Sequence, residues 1–135
     1  MYKRIVLKLS GEALAGDKPG VKFDNDIIRG IVLQIKEVMK KGTEVTLVIG
    51  GGNFWRGRSA DHNMDRTKAD QIGMLATIMN AIYVADFLRQ EGVGAVVQTP
   101  FKCGTMTEEF SKDLALNHLK NGEVVIFAGG LGHPM

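Results

Sequence analysis

Glycines and basic residues at the ends of apolar runs are the groups in this chain that could handle phosphate. Arg4-Ile-Val-Leu-Lys-Leu ends in Ser10-Gly11, Glu44-Val-Thr-Leu-Val-Ile in Gly50-Gly51-Gly52, and Glu123-Val-Val-Ile-Phe-Ala in Gly129-Gly130. A residue without a β-carbon lets backbone N–H groups approach phosphate oxygens closely, often with a helix N-terminus adding positive potential. Any one of these glycines could simply make a tight turn. Three turns at like positions point instead to one phosphate-rich crevice at the carboxyl ends of parallel strands. Lys8 lies two residues before Ser10-Gly11. Inside a buried strand it is costly unless it meets an anion; otherwise its head must reach solvent at the sheet edge. Facing the crevice, it could bridge donor and acceptor phosphates and stabilise charge in a phosphoryl transfer. Arg56, just beyond the triple glycine, could clamp a phosphate bidentately or be an ordinary surface arginine.

Named nucleotide motifs fail on inspection. Gly50-x-Gly52 is followed by Trp55, and Gly130-x-Gly132 by Met135, where a dinucleotide fingerprint needs a small residue. The run Gly52 to Ser59 resembles a Walker A loop with Arg58 for its lysine, but loop-like residues follow where that motif needs a helix. His62, His118 and His133 show no metal-ligand spacing, and a single cysteine makes no zinc site, so no metal residues are assigned. Asp24 and Asp26 read as helix-start acids. Asp70, at the start of an apolar helix, could accept ribose hydroxyls or favour the helix N-terminus.

These groups need a scaffold, and the pattern supplies one. The three runs above and a fourth, Gly94-Ala-Val-Val-Gln before Thr99-Pro100, read as strands buried on both faces. Helical patterns lie between them. Asp24 caps one carrying Ile27, Ile28, Ile31, Ile35, Val38 and Met39 and stopped by Gly42. A long one runs from about Asp65 through Leu88. A third is expected to open at Thr105-Met-Thr-Glu108, which has capping-box spacing, and to end near Leu119. Strands alternating with helices predict an α/β domain, a three-layer αβα arrangement with a mainly parallel sheet. The long helix is apolar on more than one stripe, which suits a central core helix or a subunit interface with adaptable methionines.

Composition narrows the class. At 135 residues, 44% apolar and 24% charged, the chain is sized for one folded domain. A net charge of +2 from 17 basic and 15 acidic residues is too small and scattered for a nucleic-acid binder. No apolar run looks long enough to cross a membrane, and the first residues are too short for a signal peptide, so no membrane partner is expected. With Cys103 alone no internal disulfide can form, which fits a cytoplasmic chain. The sequence stops just after a strand and a glycine turn, where another helix would be expected to follow.

Lys8-Leu-Ser-Gly-Glu-Ala-Leu14, Val48-Ile-Gly-Gly-Gly-Asn53 with Arg56-Gly57, and Gly73-Met-Leu-Ala-Thr-Ile-Met-Asn80 resemble the uridylate (UMP) kinase branch of the amino acid kinase family. The resemblance runs through nearly all of the chain. It implies phosphoryl transfer from ATP, with Mg²⁺, to UMP. It implies that residues 1–135 are the N-terminal, nucleoside-monophosphate-binding part of that fold, without its ATP-binding C-terminal half, and inactive alone. It places Lys8 as the catalytic residue and Lys8, Leu9, Ser10, Gly11, Gly52 and Arg56 at ATP. Gly51, Asp70, Leu131, Gly132, His133 and Pro134 fall at UMP. It further implies GTP and UTP as effectors and self-association into a homodimer or hexamer through the 65–91 helix. One turn departs from the family pattern Gly-Thr-Gly-Asn-Pro: here Leu131 removes a hydroxyl and His133 an amide. That departure favours the alternative, a non-catalytic nucleotide-binding or storage relative.

Overall fold

The apolar runs become parallel strands and the runs of helical period become the layers that cover them. The protein is described by a computed structural model over residues 3–55 and 63–130. In chain order the elements are β1 (Lys3–Leu9), α1 (Gly11–Ala15), α2 (Asn25–Lys40), β2 (Thr43–Ile49), α3 (Arg66–Gln90), β3 (Ala95–Thr99), β4 (Glu108–Glu109), α4 (Lys112–Lys120) and β5 (Val124–Phe127). The sheet order is β1-β2-β5-β3-β4, and every neighbouring pair is parallel. β1, β2 and β5 are therefore consecutive, and the three glycine turns that follow them leave the same end of the sheet.

The three-layer expectation holds. One face of the sheet packs Val45, Leu47, Ile49, Val97, Val124 and Ile126 against α2 and α3. The other packs Val125 and Phe127 against Ala115 and Leu119 of α4. α2 starts where Asp24 accepts hydrogen bonds from the N–H groups of Asp26 and Ile27, and it buries Ile28, Val32 and Ile35. β5 is buried along its whole length, as its unbroken apolar run requires.

Three expectations need correction. β1 is not buried on both faces. It is a sheet edge with alternating exposure: Ile5, Leu7 and Leu9 pack on the core while Val6 and Lys8 are exposed. The third helix does not open at Thr105. Thr107 Oγ1 instead lies 2.9 Å from Thr99 Oγ1 and accepts from the Cys103 N–H, and Glu108–Glu109 pair with Gln98–Thr99 as β4. α4 begins only after Ser111, whose hydroxyl accepts from the Leu114 N–H. Finally, α3 is, by length and composition, long and apolar enough to cross a membrane. Here it packs on the sheet, with Ile78, Ala81, Val84, Ala85 and Leu88 in the core. Ile72, Leu75 and Met79 remain exposed on its outer side.

Candidate phosphate crevice

The site is built on backbone contacts between turns. The Gly50 N–H donates to Leu9 O at 2.8 Å, so the β1 and β2 turns start in register. A β-carbon at Gly11 would stand 2.5 Å from Gly52 N and from Asn53 Oδ1, so Gly11 is what lets the first turn close on the second. Gly51 lies on α3: a β-carbon there would come within 2.8 Å of Ala76 Cβ and 3.2 Å of Thr77 N. Gly52 faces the Glu12 carboxylate, which a β-carbon would strike.

α3 ties these turns to the third. The Gly129 N–H donates to Thr77 Oγ1 at 2.7 Å, and Thr77 Oγ1 donates to Met74 O at 2.7 Å. Gly129 holds φ +78°, which favours glycine. Asn80, fully buried, donates from Nδ2 to Gly50 O and to Asn53 Oδ1, both at 2.7 Å. Asn53 returns a bond to Asn80 Oδ1 at 3.1 Å and donates to Lys22 O at 2.9 Å. The segment before α2 is held as well: Phe23 stacks on Tyr83 at 3.7 Å, and the Tyr83 hydroxyl bonds Asn25 Oδ1 at 2.7 Å.

The structure thus brings Leu9, Ser10, Gly11, Gly51 and Gly52 together. Ser10 is occupied as the cap of the short α1, accepting from the Ala13 N–H at 3.1 Å. Gly11 is buried, whereas Gly52 is partly open and Gly130 is exposed. Lys8 does not occupy a buried position; its strand carries it to the exposed face, so no burial cost forces an anion onto it. Asp70 is exposed on α3, one turn before Gly73, whose α-carbon faces the Trp55 ring. Arg56, Leu131, Gly132, His133 and Pro134 lie outside the described residues. Among the described residues no three His, Cys, Asp or Glu side chains gather to hold a metal.

Thr77, Asn80 and Asn53 were not singled out by their chemistry in the sequence. A signal was available: a threonine and an asparagine three residues apart in an otherwise apolar helix must find partners once buried.

A second polar cluster sits on the opposite face. His118 Nδ1 lies 2.7 Å from Glu123 Oε1, and Nε2 lies 3.2 Å from Glu108 Oε2. Gln98 Nε2, fully buried with its residue, donates to the same Glu108 oxygen at 2.5 Å. Burial works against the imidazolium, but hydrogen bonds to Glu123 and Glu108 and their charges outweigh it and hold His118 above its ordinary 6.5.

A parallel αβα sheet whose adjacent strands end in packed glycine turns is an open α/β fold of the kind that binds ligands at the carboxyl ends of its strands. The amino acid kinase family model matches residues 3–134, and the chain belongs to that family. It is 47% identical over 135 residues to the uridylate kinase of Mycoplasma mobile, covering 98% of this chain and 55% of that relative. The UMP kinase structure from Bacillus anthracis superposes with TM-score 0.88 at 38% identity, over 98% of this chain and 55% of that one. That from Ureaplasma parvum gives 0.87 at 34%, over 98% and 57%. Isopentenyl phosphate kinase, at 22% identity and TM-score 0.60, shares the fold, over 92% and 55%. The chain spans a little over half the length of each of these relatives.

Proposed function

We propose that residues 1–135 form the nucleoside-monophosphate-binding part of an enzyme that transfers a phosphoryl group from ATP to UMP, giving UDP. The observation that carries this reading is the packing of the β1 glycine turn on the β2 turn, and of the β2 and β5 glycine turns on α3. The similarity to uridylate kinases supports the choice of substrate. In this reading the catalysis is positioning and electrostatics rather than proton abstraction. Lys8 sits at the exposed end of an edge strand, free to swing its ammonium over the turn that begins at Ser10 and act as a point cation on the transferring group. Backbone N–H groups around Ser10, Gly11 and Gly52, with Leu9 and Arg56, face the ATP phosphates. Gly51, Asp70 and the segment Leu131, Gly132, His133, Pro134 take UMP. Mg²⁺ travels with the ATP phosphates and needs only one or two carboxylates from protein.

The same reading places the protein in cytoplasmic pyrimidine nucleotide biosynthesis, with GTP and UTP as effectors. It assigns the exposed Ile72, Leu75 and Met79 of α3 to self-association as a dimer or hexamer. Two measurements test it. Calorimetry should show UMP binding to this chain. A chimera joining it to the part of the Mycoplasma mobile relative that it does not span should release ADP only when UMP is present, whereas the chain alone should not. Failure of the chimera with UMP alongside success with another phosphate acceptor would replace the substrate.

A further inference from the structure

We propose that Thr77 and Asn80 are positioning residues that set the spacing between the Gly50–Gly52 turn and the Gly129–Gly130 turn, and so the width open to a phosphate group. This rests on reading the crevice as a nucleotide phosphate site. Residues three apart on a helix share a face and stand about 4.5 Å apart along its axis. From that face Thr77 holds the β5 turn and Asn80 holds the β2 turn. α3 therefore acts as a ruler between two loops that do not depend on each other in sequence.

The hydrogen-bond arithmetic leaves these side chains committed to backbone. The Thr77 proton goes to Met74 O, which fixes the hydroxyl's lone pairs toward the Gly129 N–H. Asn80 spends both Nδ2 protons on Gly50 O and Asn53 Oδ1, and its own oxygen receives the Asn53 amide. Gly51 rests directly on the Ala76–Thr77 backbone, so a shift of the helix moves the turn with it. An apolar pair of the same size would fill this space without the desolvation cost of the buried Asn80 amide and the half-buried Thr77 hydroxyl. What the polar pair adds is defined positions for the Gly50 carbonyl and the Gly129 amide. A misplacement of about 1 Å in a phosphate site is enough to weaken its function on the order of 10²-fold.

The test follows UMP binding to the 135-residue chain through Trp55, the single tryptophan, which packs at Gly73 beside these turns. Gly129 and Gly130 amide exchange and urea unfolding are measured on the same samples. Thr77→Val keeps the shape and removes the hydroxyl. It should weaken UMP binding about tenfold and speed Gly129 exchange while the urea transition persists, and Thr77→Ser should restore both. Asn80→Asp, which still accepts from Asn53 but cannot donate to Gly50 O, should also weaken binding and gives a second arm should Thr77→Val not fold. Wild-type affinity in Thr77→Val and Asn80→Asp, or no recovery in Thr77→Ser, overturns the proposal and leaves the site reading standing. A wild-type chain that binds neither UMP nor inorganic phosphate overturns the site reading and this proposal together.

Discussion

The two faces of the sheet hold their loops with opposite chemistry. On the α3 face, two amides and a hydroxyl fix the glycine turns through neutral hydrogen bonds. On the α4 face, an imidazole between two carboxylates fixes β4 and the turn before β5. Neutral bonds do not change with pH and add no charge to the crevice proposed for anions. The ionic cluster gains strength from charge but depends on one proton. Changes on the α3 face should therefore be felt in binding and turnover, and changes on the α4 face in pH-dependent stability.

Lys8, which β1 turns away from the α3 core, gives the largest expected effect and is the exception to that division, since it is proposed to reach the phosphates from the strand end. In the chimera described above, Lys8→Ala should lower kcat on the order of 10²-fold or more, since point charges on a transferring phosphoryl group supply that much. Because Lys8 is exposed, the urea midpoint should barely move. Turnover within a few-fold of wild type would take Lys8 out of the mechanism. Next comes Gly11→Ala. Its new methyl would meet the Gly52 and Asn53 backbone at 2.5 and 2.8 Å, which cannot swing aside as a side-chain tip could. A loss of about 1–3 kcal/mol in urea unfolding is expected, together with loss of UMP binding. Full stability with intact binding would mean that the turns are not held in contact.

Smaller again is the outer side of α3. Ile78 is buried, so a charge there would test the core rather than an interface. Leu75, half exposed, is the better position: Leu75→Glu should leave folding nearly intact and shift sedimentation toward monomer. An unchanged sedimentation profile would remove this stripe as the contact between copies.

Much of this scaffold was legible. Val/Ile runs bounded by turn residues, three of them ending in glycine, mark four of the five strands, and Asp24 and Gly42 bracket α2. What escaped notice depends on partners distant in sequence. The exposure of β1 follows from its place at the sheet edge, which an apolar run cannot reveal. The start of α4 was misplaced because Thr105-x-x-Glu108 mimics a capping box. Thr107 bonds Thr99 across the loop, and Glu108 turns to Gln98 and His118 instead. That the glycine turns lie at one end of the sheet was legible because each ends a strand. Their fastening by Thr77 and Asn80 was not, since burial in the fold turns two polar residues of an apolar helix into struts.

His118 is the smallest expected effect and the one that separates the faces most cleanly. Protonated, the ring donates one N–H to Glu123 and the other to Glu108. Neutral, it has a single N–H, and one carboxylate is left facing a lone pair. Its pKa is raised on folding, so the folded state binds the proton more tightly than the unfolded chain does. The stabilisation is full below about pH 6.5 and is lost as pH rises through the higher folded value. The urea midpoint should therefore fall over that interval, and His118→Gln should flatten the fall while lowering stability on the acid side. UMP affinity, corrected for ionisation of the UMP phosphate itself, should show no matching step, because Thr77, Asn80 and Asn53 do not titrate. A midpoint that rises with pH through the same window would reverse the sign assigned to His118. A corrected affinity that follows the His118 titration would join the two faces into one unit.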